Sequence, residues 1–369
     1  MDNYDYEDRT DYYYGNWNDF TLDDEKRARS RFSRIFLSLF LFTVISNAVA
    51  LVAELIIMIA FGVEYATEIA SSYWYVWTMN ILAMYVIAFP IYFLMVRNMR
   101  KVERIKSTIA PMELLKLFFI AQAFAYAGNL ISSIFSAAVT MVLGEVPEDP
   151  LSEMIYSSPL WIIILVTVIL APIVEELMFR KLIIDRMSIY GDKLAIIVSS
   201  IAFGLFHGNF YQIFYATLIG FILGYVYVKT ANIIYSIILH VAFNFWGSVL
   251  PWIFEDEILG MADMYEQIMI AMAEGGQMPA LELAAGEYVS LILALVYLSV
   301  NVMFTVLGVV LFIKRFRKTF ISDRCEVLIP ARRRAAVIIG NAGAILFLVI
   351  TSITMFLNII TPFLTSIPE

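Results

Sequence analysis

Histidine and cysteine are nearly absent from this 369-residue chain, with two of the first and one of the second. A single cysteine, Cys325, excludes an internal disulfide and any cysteine-based zinc site. It falls in a basic loop and reads as an ordinary reduced thiol. Charge is scarce too, at 16% of residues, while 61% are hydrophobic and the mean hydropathy is +0.79. No water-soluble domain of this size needs so much apolar residue, so composition specifies a polytopic membrane protein. Neither GxSxG nor HExxH occurs, which leaves no motif for a serine-hydrolase elbow or a zincin helix.

Basic residues are missing from every second connection between apolar runs. Runs of spanning length fall at about 35–61, 74–96, 114–143, 159–180, 194–208, 211–228, 232–253, 289–313 and 335–360, given roughly 20 residues per crossing. The 194–208 run is short and needs extra length at its cytoplasmic end. Lys26 to Arg34 precede the first run, and Arg97 to Lys116 surround the second connection. Arg180 to Lys193 lie at the fourth, Lys229 at the sixth, and Lys314 to Arg334 at the eighth. The odd-numbered connections carry acids instead, including eight carboxylates between Glu255 and Glu287. Nine spans with a cytoplasmic N-terminus and an outer C-terminus satisfy the positive-inside rule throughout. The expected fold class is therefore all-α, a polytopic membrane helix bundle of about nine transmembrane helices.

Residues 1–25 hold nine carboxylates and one arginine without apolar periodicity, and are expected to be a disordered acidic tail rather than a signal peptide. A transmembrane domain over 26–360 and a short tail at 361–369 complete the division. The net charge of −8 implies no basic partner, because the two signs are segregated along the chain. The lipid bilayer is the expected partner, nucleic acid is not, and the oligomeric state stays open.

Ionisable groups inside hydrocarbon are functional candidates by default, and they fall here in three clusters. The fourth span carries Glu175, Glu176 and Arg180, the fifth ends at His207, and the seventh carries His240 and Asn244. Tyr190-Gly191-Asp192 reads as a turn. Glu175 lies sixteen residues before Gly191 and His207 sixteen after it, so a helical hairpin would bring both to one depth, about 24 Å from the turn. Lys181, Asp185 and Arg186 suit a wet, partly exposed turn, placing the site nearer the cytoplasmic face. Glu176 and Arg180 share a helix face, as do His240 and Asn244, whereas Glu175 projects about 100° from Glu176. The two carboxylates are therefore expected to do different jobs.

A carboxylate and an imidazole can hold and deprotonate a water. A second imidazole and an amide can donate hydrogen bonds to the oxyanion formed at a carbonyl. The constellation thus suits hydrolysis by activated water. Alternatively, Glu175, His207 and His240 could hold one divalent metal such as zinc, with water as its fourth ligand. Gly204-xxx-Gly208 and Gly220-xxx-Gly224 have the small-residue spacing that packs the fifth span on the sixth. Glu54 is a lone acid near the outer end of the first span, with no partner visible in the sequence.

The patterns Glu175-Glu176-xxx-Arg180, Phe203-xxx-His207 and His240-xxx-Asn244 resemble the signatures of the CAAX protease and bacteriocin-processing (CPBP or Abi) family of intramembrane proteases. Order and separation agree, over a core of about residues 155–250. The resemblance implies that Glu175 and His207 activate water, that His240 and Asn244 form the oxyanion hole, and that Glu176 and Arg180 support the site. Members are described both as glutamate-dependent and as metal-dependent. Eukaryotic relatives remove the last three residues of prenylated CAAX proteins. The expected substrate is accordingly a membrane-tethered protein or peptide, and the expected location a bacterial plasma membrane. The rivals are an inactive membrane scaffold or bacteriocin self-immunity protein, and a proton-relaying transporter.

Overall fold

A computed structural model describes residues 20–144, 150–273, 285–316 and 325–365, and among them there are helices and no strands. Eight helices are long and apolar enough to cross a membrane. They are α1 (Leu22–Phe61), α2 (Tyr73–Val96), α3 (Pro111–Val142), α4 (Leu160–Tyr190), α6 (Phe210–Thr230), α7 (Ile233–Ile253), α8 (Tyr288–Arg315) and α9 (Ala342–Thr361). The ninth expected span is α5 (Asp192–Phe206), which at 15 residues is shorter than a full crossing.

The start of α1 revises the expected tail. Residues 1–19 lie outside the described residues, but Leu22 is already helical. Thr21 accepts from the Asp24 backbone N–H, and the Asp24 carboxylate accepts in return from the Thr21 backbone, a reciprocal cap that starts the helix inside the acidic stretch. At the other end, helix continues to Thr365, into the expected C-terminal tail. Part of the outer acidic segment folds as a helix, Glu255–Ala273.

Three spans contain widened, π-helical turns just before a proline. Ile81–Ala88 precedes Pro90, Ile163–Leu170 precedes Pro172, and Phe245–Val249 precedes Pro251. Proline lacks the amide donor and its ring clashes with the carbonyl four residues back, so the preceding turn widens. A fourth π-helical stretch, Glu176–Ile184, has no proline. Such turns outside proline sites recur at functional positions.

Helix α5 packs on α6, α6 on α3, α3 on α8, and α1 on α9. The central spans α4 and α6 are half enclosed or more, whereas α8 is 11% buried and faces outward. The α5–α6 contact depends on the absence of side chains. A methyl at Gly204 would overlap the Thr217 hydroxyl and the Ile213 carbonyl, and one at Gly220 would press on Ser200. Gly208-Asn209 is the tight reversal that this glycine–asparagine pair specifies in the sequence. With φ +66° Gly208 makes the left-handed reversal between α5 and α6, after which Asn209 caps α6 through the Gln212 amide at 2.8 Å.

The turn between α4 and α5 is wet only in part, since Lys181 is exposed as expected and pairs with Asp185 at 2.9 Å. Asp185 and Arg186 are buried. Arg104, from the α2–α3 connection, pairs with Asp192 and lies 3.8 Å from Asp185, whose carboxylate also accepts from the Tyr227 hydroxyl at 2.7 Å. Arg186 donates to the Val96 and Arg97 carbonyls, both at 2.8 Å. A neighbouring connection thus supplies the partners that solvent was expected to provide.

Candidate active site

Glu176 and Arg180 come from the widened turns of α4, and both side chains are fully buried. Arg180 Nε lies 3.2 Å from Glu176 Oε2. The other carboxylate oxygen, Oε1, lies 3.0 Å from His240 Nδ1 on α7. His240 Nε2 points the opposite way and lies 3.6 Å from Glu175 Oε2. Four of the six residues singled out in the sequence therefore form one line of contacts, Arg180–Glu176–His240–Glu175.

Exposure separates the two carboxylates. The Glu175 side chain is 17% exposed, His240 5% and Glu176 none. Glu175, at the end of the line, is the carboxylate that solvent reaches.

His207 joins through a ring rather than through a hydrogen bond of its own to this line. Its Nδ1 is 2.8 Å from the Phe203 carbonyl oxygen. The Phe203 ring stands edge-on to His207 at 4.9 Å and to His240 at 5.7 Å, and carries the Arg180 guanidinium 4.6 Å above its centre. By residue count His207 sits about 22 Å above the start of α5 and His240 about 12 Å above that of α7. Phe203 fills the step between them. The Phe203-xxx-His207 pattern marked its position in the sequence, but its contacts with Arg180 and His240 form only in the fold.

The hairpin expectation paired Glu175 with His207 by depth, but the contact formed is with His240. The expectation of a shared depth concerned height along the bundle, and the direct contact of Glu175 is the one with His240. Asn244 shares the His240 face as expected, and its amide donates to the Thr167 carbonyl at 2.9 Å, a partner not anticipated. Among the described residues no group of three or more His, Cys, Asp or Glu side chains is arranged to hold a metal ion.

Comparison with known proteins agrees with the motifs. Residues 157–246 match the model of the type II CAAX prenyl endopeptidase Rce1-like family. The core of this chain is similar to that family. The matched segment runs from the start of α4 into α7 and holds all six residues named above. The UPF0177 protein YxdF of Lactococcus lactis subsp. lactis (strain IL1403) is 27% identical over 150 residues, 40% of this chain and 84% of that protein. No solved structure matches. Helices α1, α2, α3, α8 and α9 lie outside the Rce1-like segment and enclose it.

Proposed function

We propose that this chain is an intramembrane endopeptidase that hydrolyses peptide bonds of membrane-tethered, CAAX-type or similar substrates. The supporting observation is the unequal pair of carboxylates on either side of His240. Glu176, sealed from solvent and paired with Arg180, accepts from His240 Nδ1 and so fixes the ring, as an orienting carboxylate does for a catalytic imidazole. Nε2 is thereby presented to Glu175. Glu175, with partial exposure, takes a proton from water as that water attacks the scissile carbonyl. The proton then passes to the leaving amine, and the peptide is released as a carboxylate and an amine. His207 stands beside the Phe203 ring, and Asn244, which gives one amide N–H to Thr167, donates the other to the oxyanion. No step is routed through a metal.

The test uses the full chain purified into proteoliposomes. It receives a farnesylated CAAX peptide or an unprenylated transmembrane peptide, with products read by mass spectrometry. Cleavage of either peptide, lost in Glu175→Gln and retained after dialysis against a metal chelator, supports the reading. Cleavage that survives Glu175→Gln, or that a chelator abolishes and zinc restores, overturns this mechanism. If neither peptide is cut, the proposed substrate classes are wrong.

A further inference from the structure

A cavity of about 330 Å³ lies between α1, α2, the end of α5 and α9, mostly outside the Rce1-like segment. Its inner end is formed by Phe206, His207 and Gly208. At its other end stand Glu54 near the end of α1, Ala70 of the short helix Val63–Ala70, and Tyr75 at the start of α2. With the N-terminus inside, as the basic connections require, this second end faces the outer side of the membrane.

The walls are polar for a space inside a helix bundle. Asn47, Asn80, Thr351 and Thr354 line it together with Glu54. Glu54 and Asn47 are exposed, and a carboxylate or amide turned to lipid is costly, so a water-filled cavity accounts for both. Tyr75 supplies a second, independent observation. It is 5% exposed, lines the cavity, and its hydroxyl has no hydrogen-bond partner among the described residues. Buried hydroxyls are normally paired, so this one is set to meet a ligand or its hydration water. Glu54 is the only carboxylate and His207 the only imidazole on the lining, and no lysine or arginine lines it.

We propose that this cavity is an outward-opening subsite that admits a cationic side chain, lysine or arginine, of a peptide segment lying beside His207. Glu54 supplies the counter-charge, and Tyr75, Asn47 and Asn80 supply hydrogen bonds to the ammonium or guanidinium and its water. The assignment of that segment to a substrate rests on the protease reading. The opening and the charge selection do not.

The single native cysteine makes a direct test possible. In intact cells carrying Cys325→Ser, Met79→Cys and Thr354→Cys variants place one thiol on each of two walls. They are treated from outside with membrane-impermeant cationic or anionic methanethiosulfonates. Glu64→Cys, on the exposed outer helix, is the surface reference and reports correct insertion. Expected is labelling at both walls. The cationic-to-anionic rate ratio should exceed that at the reference by about tenfold, the scale on which a charged cleft concentrates its counter-ion. Glu54→Gln should bring that ratio back to the reference value. No labelling at either wall, with the reference labelled, overturns the outward opening. Equal ratios, or a ratio untouched by Glu54→Gln, overturn the charge selection. These outcomes do not involve catalysis, so they stand apart from any failure of the peptidase assay.

Discussion

His240 Nδ1 lies 3.0 Å from the sealed carboxylate of Glu176, while its Nε2 faces the partly exposed carboxylate of Glu175 at 3.6 Å. One imidazole thus reads two acids that are neighbours in sequence but a third of a helix turn apart. In the proposed mechanism the adjacent glutamates take separate tasks, positioning for one and proton transfer for the other.

That division predicts how Glu176→Gln behaves. The amide keeps the shape but no longer holds the imidazole as an anion does. Turnover should fall by about 10²-fold or more, as when an orienting carboxylate is neutralised, with KM nearly unchanged. Steady-state kinetics on one substrate separate the two constants. A raised KM at constant kcat would place Glu176 in substrate binding instead.

Arg180 is predicted to matter for stability before it matters for rate. Its guanidinium is fully buried against Glu176 and the Phe203 ring. Arg180→Met leaves a buried carboxylate with one partner fewer, which costs about 3–5 kcal/mol when a buried pair is broken from one side. The double variant Glu176→Gln/Arg180→Met should recover a large part of that loss. Thermal unfolding in one detergent measures both, and a double variant no more stable than Arg180→Met would refute the pairing argument.

Gly204 links the helix contact to the site. It stands three residues before His207, and an added methyl collides with Thr217 and with backbone of α6. Gly204→Ala should push α5 from α6, lower the melting temperature and reduce turnover together. Gly247→Ala, where an added methyl meets open space, should leave both close to wild type. Comparable losses in the two variants would show that close approach is not the reason for Gly204.

Asn244→Ala should lower turnover by about 10²–10³-fold, the usual loss for one oxyanion donor. The lost bond to Thr167 should cost only about 1 kcal/mol of stability. Near-normal turnover with a lowered melting temperature would restrict Asn244 to tying α7 to α4.

Much of this was legible in the sequence because it rests on spacing. The turn at Gly191, the reversal at Gly208-Asn209 and the start of α7 after Asn232 all follow from local turn and cap chemistry. Their spacing carries the helices bearing Glu176, Phe203 and His240 together. Two features depended on tertiary context instead. The widened turns after Glu175 carry no proline to announce them, and the contact of His240 with both glutamates forms only when α7 packs on α4. Arg186 read as exposed because its partners, the Val96 and Arg97 carbonyls, lie more than 80 residues earlier in the chain, and Asp185 read so because Arg104 and Tyr227 reach it only in the fold. The cavity beside His207 was invisible for the same reason, since α1, α2 and α9 meet α5 only in the fold. Glu54, an orphan acid in the sequence, finds its setting there.

The most direct measurement is quantitative mapping of new protein termini in membranes from cells expressing the wild-type chain or Glu175→Gln at equal levels. The account predicts termini that arise only with the wild type, all in membrane-tethered proteins. Identical termini in the two samples would contradict it and leave the buried line from Arg180 to Glu175 a structural feature of a membrane scaffold.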